Sequence, residues 1–474
     1  MTHPRRDGVR PLVAIGSRLA GVQLAQVALV TTDLVMMADL GVDAVAGGGL
    51  AALLYNQIRT MGVGLVTPVG NLVAGTVGRH ERGHAPSTST RDNGPPAAGD
   101  NSPPTARDDE VRALVRASFA VATLTGLLAA AVLVGLGFVL PLFGQAPAVV
   151  ATALPMMAAL APGLVPMLWL QVLRQYAVGM HRAGSLLGVT IASIGVNLAL
   201  DGGFVHGWFG MPLLGVTGIG LATTLVQLLS FLAYLALVRR DPQLTPALSL
   251  QGWRADPRRI GEIVRLGAPI SLTFASEAGI TSVATVVMGI FGPVALAAHN
   301  VVNNIAYIAY QVTIGLSQGA SILVSRAVGR GDTDEPRRIA ARAFALSGAL
   351  QVVLAVLYLA APAAVLGLFL GPQDPAVHAI ATTLLVLAIV QQATKGGQNI
   401  AVGLMRGLGD TKIGFRASLI GYWGVGVPAM LLCAFVFGGG APGVWVGLCL
   451  GFGATGALVL RRFLRDERRR VGAH

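Results

Sequence analysis

Charge is scarce in this chain. Only 12% of its 474 residues are Asp, Glu, Lys or Arg, roughly half the ~25% of a soluble globular protein, so the surface of water-soluble domains could not be covered. Cysteine is nearly missing. Cys433 and Cys449 both stand inside apolar runs, have no zinc-type spacing, and read as small packed hydrophobes rather than a disulfide. Catalytic signatures are also lacking: there is no His-Glu-x-x-His, no Walker loop, and no Asp-Asp-x-x-Asp within a span, which removes the commonest metal and nucleotide chemistries. These absences exclude a large soluble catalytic module, and nothing in the pattern calls for a cofactor.

Apolar length takes the place of charge. Hydrophobic residues make up 54% of the chain, 62 residues are Gly, and the mean hydropathy is +0.68. At roughly 20 to 25 residues per span, the length predicts about a dozen crossings. Breakers divide it into twelve candidate helices: 12–39, 44–77, 114–142, 148–178, 185–206, 213–238, 264–291, 294–327, 342–370, 376–405, 413–437 and 440–462. The expected fold is an all-α integral membrane protein of twelve transmembrane helices. Arg5, Arg6 and Arg10 precede the first run like a signal peptide's basic start, but the run is too long for such a segment and reads as a retained helix.

The formal charge of +12 has a topological meaning here rather than pointing to nucleic acid. Alternate connections are short and free of Lys and Arg, whereas the others carry Arg79, Arg82 and Arg112, then Arg182, then Arg239 to Arg259, then Arg330 to Arg338, then Arg406 and Lys412. The positive-inside bias makes these connections and both termini cytoplasmic, in a multi-pass protein of the cytoplasmic membrane. Residues 80–113 are rich in Pro, Ser, Asp and Gly, with the acidic run Asp108-Asp109-Glu110, and are expected to be disordered and solvated. Residues 239–263 form a basic link at the midpoint. On either side of it, Gly41 to Arg79 and Gly292 to Arg330 have equal length, share Gly, Ala, Leu and Val at matching positions, and both end in Val-Gly-Arg. Two six-helix halves account for this, with boundaries at 1–238 and 264–474, enclosing a central cavity as in many secondary transporters.

Ionisable groups in hydrocarbon are functional candidates by default. Arg18 and Arg326 lie near helix ends and should snorkel; Arg59 and Arg174 are deeper, and either pair within the bundle or line a pathway. Asp33 and Asp201 lie at similar depth, roughly 10 Å inside the outer boundary at 1.5 Å per residue, and Asn197 shares a helical face with Asp201. That trio offers oxygens to a proton or a hard cation, or each carboxylate faces a different neighbour and is simply protonated. Glu277 and Lys395 also agree in depth, as a structural ion pair or one that opens and closes with a transport cycle. The eighth run is unusually polar: His299, Asn300, Asn303, Asn304 and Tyr307 make it a candidate cavity wall.

In this order and spacing the chain resembles the multidrug and toxic compound extrusion (MATE) family over nearly its whole length. The carriers are Thr32-Asp33 with the Gly41 turn, Asn197-Leu-Ala-Leu-Asp201 leading to Gly210-Met-Pro212, and Gly220-Leu-Ala-Thr223. In the second half they are Leu266-Gly-Ala-Pro269, Glu277, Ala297-Ala-His299-Asn300, Gly329-Arg330-Gly-Asp332 and Met405-Arg406-Gly407-Leu-Gly409-Asp410-Thr411. The resemblance implies a V-shaped pair of six-helix lobes exporting cationic or amphipathic compounds (organic cations, dyes, drugs) in exchange for H+ or Na+, as a monomer and not as an enzyme. It carries the cation-coupling set onto Asp33, Asn197, Asp201 and Thr223, with Thr224 as a neighbour to consider, and no metal beyond a Na+ there. Asp201, where many NorM-like members have Asn, suggests the DinF-like type. Lys395 falls where the family has the carboxylate partner of Glu277, which speaks against a sodium site in the second half. Within transport, flipping of a lipid-linked saccharide would need a more cationic cavity; an intramembrane enzyme would have to be built on Asp33 and Asp201.

Overall fold

The computed structural model describes residues 10–83, 105–143, 145–182, 184, 186–369 and 375–471. Helices dominate, and no strand occurs among the described residues. Eleven helices are long and apolar enough to cross a membrane: α1 (Arg10–Asp39), α2 (Ala44–Gly83), α3 (Ala106–Leu142), α4 (Pro147–Gly179), α5 (Leu186–His206), α6 (Gly215–Arg240) and α7 (Pro257–Ile290), then α9 (Glu335–Ala360), α10 (Pro375–Gly407), α11 (Lys412–Val436) and α12 (Gly440–Glu467). The twelfth, α8 (Pro293–Arg330), is 38 residues long and differs by its polarity. Side chains such as Leu124, Leu127 and Leu128 of α3, each more than half exposed, give the bundle the apolar outer face of a multi-pass membrane protein.

Several helices outrun their apolar segments. Residues 80–83 and 105–113 are helical, so the expectation of disorder fails at both edges of that stretch; 84–104 lie outside the described residues. Nor is the acidic run solvated throughout: of the three, Asp109 alone is exposed. Asp108 is buried, and Glu110 accepts from Arg79 at 2.8 Å and lies 3.5 Å from Arg259. Asp256 caps α7 by accepting from the Arg258 backbone N–H, so this helix begins well before its apolar run. The remaining midpoint link is docked rather than loose: Tyr176 donates to the Leu244 carbonyl, and Arg116 donates to Ser249 Oγ at 2.9 Å. Apolar periodicity marks only the lipid-facing portion of a helix, and charged side chains extend these helices beyond it.

The internal repeat appears in the backbone. Gly41 and Gly292 take the same positive-φ conformation, at 102° and 96°, immediately before α2 and α8, where a Cβ would be strained. The same offset relates the places where the halves touch. A Cβ on Gly78 of α2 would meet the Arg326 carbonyl at 2.3 Å, and one on Gly329 of α8 would meet the Gly75 carbonyl at 2.3 Å. In the same way, Gly64 abuts Ser271 while Gly315 abuts Ala20, and Gly267 abuts Leu65 while Gly16 abuts Leu316. At Gly64, Gly78, Gly267, Gly315 and Gly329 the added Cβ would come closer than 3.0 Å to facing backbone, so these small residues let the helices approach. All these crossings fall in the parts of α1, α2, α7 and α8 nearest the basic connections, so the halves are clamped at that end and enclose a cavity beyond it.

Arg326 does not snorkel. Its guanidinium pairs with Glu81 and donates to His181 Nδ1, tying α8 to α2 and to the turn after α4 at the clamped end. In α11 the backbone widens to π geometry over Leu419–Gly426 and Leu432–Val436, on either side of Pro428, as expected where a proline disturbs the hydrogen-bond ladder.

Candidate functional site

The first half brings its polar residues to one point. Asn197, on α5, donates through Nδ2 to Asp33 Oδ1 on α1 at 2.7 Å and to Asp201 Oδ2 on its own helix at 2.6 Å. One amide group thus spends both hydrogens on two carboxylates. Thr223 Oγ1 on α6 lies 3.2 Å from Asp33 Oδ2. Thr224 turns the other way, onto the Ala159 carbonyl of α4 at 2.6 Å. Asp201 is fully buried, and its Oδ1 has no hydrogen-bond partner among the described residues. Neither carboxylate has a Lys or Arg within 4 Å among them. The reading in which each carboxylate faces a different neighbour does not hold: the four-residue step from Asn197 to Asp201 aligns them on α5, and Asp33 meets the amide between them.

The second half does the opposite. Lys395 Nζ of α10 lies 3.0 Å from Glu277 Oε1 of α7, with both side chains under a fifth exposed. The ammonium also stands 4.3 Å from the centre of the Tyr310 ring and 5.1 Å from that of Phe452, so cation–π attraction adds to the ion pair. Tyr310 in turn accepts from Asn399 Nδ2 at 2.7 Å.

Between these two sites lies a cavity of about 640 Å3, with an adjoining one of about 290 Å3 on the side of Asp33. Asn303, Asn304 and Tyr307 line the larger one as expected; His299 and Asn300 do not. His299 is buried one turn further along α8, its Nδ1 accepting from Trp445 Nε1 at 3.1 Å and its ring edge-on to that indole, while Asn300 is exposed. These two are corrections to the cavity-wall assignment: beyond the cavity, His299 reaches Trp445 of α12 instead. Arg59 and Arg174 line both cavities, and neither has a carboxylate within 4 Å among the described residues, so neither is held in an ion pair within the bundle.

The sequence reading passed over the carboxamides. Gln26, Asn56, Gln171, Gln227 and Gln391 also face the larger cavity, each from a different helix. Their signal was present as neutral polar residues inside apolar runs, but each is too common alone to single out. The sequence reading also missed one Gly-x-Ser-x-Gly spacing, that of a nucleophile elbow: Gly315-Leu316-Ser317-Gln318-Gly319 lies in mid-helix, where Ser317 donates to the Asn399 carbonyl at 2.8 Å. Among the described residues no group of three His, Cys, Asp or Glu side chains could hold a metal.

A family model described as MatE matches residues 106–201 and 269–432. The probable multidrug resistance protein NorM of Pseudomonas aeruginosa is 36% identical over 455 residues, covering 95% of this chain and 88% of its own length. Among solved structures, the eukaryotic MATE transporter AtDTX14 matches with a TM-score of 0.80 at 18% identity, over 98% of this chain and 99% of its own. The Vibrio cholerae MATE transporter VcmN in its bent form matches at 0.81 and 16% identity, over 98% and 97%; likeness at such identities is one of fold. The curated relatives carry the NorM name, so the DinF-like type suggested by Asp201 finds no support. One side chain at one candidate site is too narrow a basis for a subtype.

Proposed function

The chain belongs to the MatE family of multidrug transporters, and on that premise we propose a secondary antiporter of the cytoplasmic membrane, exchanging H+ or Na+ for cationic or amphipathic small molecules that it expels. Membership in a transporter family removes the intramembrane-enzyme reading. One observation carries the coupling: the Asn197 amide spans Asp33 and Asp201, and neither carboxylate has a Lys or Arg within 4 Å among the described residues. Two carboxylates that close in a low-dielectric site repel each other, and a proton or hard cation relieves the repulsion. Binding that differs between two arrangements of the halves then shifts their populations. With the basic connections in the cytoplasm, the glycine crossings close the cavity on that side. Both halves and both sites come from one chain, which supports action as a monomer.

The cavity volume lies in the range of drug-sized ligands. A second reading, flipping of a lipid-linked saccharide, draws on the positive charge of the same cavity, but such a cargo is larger. The test is dye movement in proteoliposomes under an imposed proton or sodium gradient. Loss of movement when one gradient is removed identifies the coupling ion; undiminished movement with neither gradient overturns the antiport.

A further inference from the structure

The larger cavity is lined by four cationic side chains, Arg59, Arg174, Lys395 and Arg406, and by one carboxylate, Glu277. That carboxylate is already engaged by Lys395 at 3.0 Å. Arg59 Nε donates only to Asn56 Oδ1, at 3.2 Å. Arg406 is buried with its Nε lacking a hydrogen-bond partner. None of Arg59, Arg174 and Arg406 has a carboxylate within 4 Å among the described residues. Asp33 opens only onto the smaller cavity and is held by Asn197 and Thr223. A cationic cargo in the larger cavity would therefore find no free carboxylate and would stand among unpaired guanidinium groups. Unpaired charge at membrane depth is costly and calls for a partner, and the planar guanidinium fork suits an oxyanion better than any other group.

We propose that the central cavity takes an amphipathic cargo bearing an oxyanion (carboxylate, phosphate or sulfonate), gripped by Arg59 and Arg174, with its apolar body against Leu53, Leu170 and Phe274. The inference rests on the export reading and narrows its cargo. Exchange then cannot work by competition of ion and cargo for one carboxylate. The ion at Asp33 acts instead through the rearrangement of the halves, since Arg59 and Arg174 face both cavities.

The test compares carboxyfluorescein, an anion, with ethidium, a cation, on the whole protein. Binding is read by fluorescence anisotropy in nanodiscs, and gradient-driven flux in proteoliposomes; a fluorescent polyprenyl phosphate forms a third arm. Carboxyfluorescein should bind about tenfold or more tightly than ethidium, the equivalent of one good charge-assisted contact. Arg59→Gln with Arg174→Gln should erase the preference, and the corresponding double change to Lys should retain part of it. Polyprenyl phosphate bound in place of carboxyfluorescein, with the same loss in the Gln variant, supports the oxyanion site and assigns it to a lipid source. Preference for ethidium in the unaltered protein, binding of none of the three, or carboxyfluorescein affinity unchanged by the Gln variant, overturns the proposal. Carboxyfluorescein bound by the arginines but moved by neither gradient leaves the site standing and overturns the export reading.

Discussion

The two halves of the molecule repeat one backbone and store charge in opposite ways. Gly41 and Gly292 open matching helices, and Gly78 and Gly329 cross each other reciprocally. Yet the first half holds two carboxylates joined by the Asn197 amide, whereas the second holds one carboxylate with its own ammonium, Glu277 with Lys395. A pair that already contains its cation gains little from an external one; a pair of carboxylates needs one. Duplication of a fold thus leaves its chemistry free to diverge by single side chains, and under the proposed antiport the divergence assigns ion exchange to one half only.

The largest expected effect breaks this comparison outright. Asp33→Asn with Asp201→Asn should reduce gradient-driven flux to the level of empty liposomes while the protein still elutes as a folded species. Full transport by that double variant would move coupling to Glu277. Next comes the second half. Removing one partner of a buried ion pair costs roughly 3 to 5 kcal/mol, whereas removing both is often tolerated, so Lys395→Met should lower thermal stability more than Lys395→Met with Glu277→Gln. Simple addition of the two single changes would mean that the pair is not coupled.

The clamp that joins the halves should respond to acid. His181 lies outside the spans, and burial first, then the Arg326 guanidinium, pull its imidazole down from 6.5 to about 4. The clamped form therefore holds it neutral, while an opened or unfolded form takes up a proton below pH 6.5. The contribution of His181 is fully present above pH 6.5 and declines as pH falls toward 4. His181 has a φ of 60°, which Asn tolerates, so the fall in melting temperature between pH 6.5 and 4 should be smaller in His181→Asn than in the unaltered protein. An equal fall in both would remove His181 from the account.

The smallest effect concerns the asymmetric connection between α2 and α3. Deleting residues 86–102, polar and free of large apolar side chains, should leave flux within about twofold, because such a composition offers little apolar surface for packing. Extending the deletion through 105–112 removes Asp108 and Glu110 with its Arg79 contact and should lower stability. Equal tolerance of both deletions would return the whole stretch to the status of a passive linker.

Much of the fold could be read without coordinates because lipid imposes it. A backbone in hydrocarbon must satisfy its own hydrogen bonds, so apolar length located eleven of the helices and the breakers around it marked the more polar α8, while the duplicated Val-Gly-Arg endings located the repeat. The meeting of Asp33 with Asp201 was approachable through depth, since rise per residue converts position into height in a membrane. Direction around the helix axis was not. Depth is one coordinate, and the azimuth of each helix depends on what it packs against. Hence His299 turned to Trp445 rather than to the cavity, Arg326 found Glu81 and His181 instead of water, and Thr223 faced Asp33 while its neighbour Thr224 faced α4. Charge count, span number and repeat belong to the sequence itself. Which charges remain unpaired, and therefore which ion and which cargo the cavity can receive, was decided only when twelve helices chose their faces, because pairing depends on distances of a few ångströms between residues far apart in the chain.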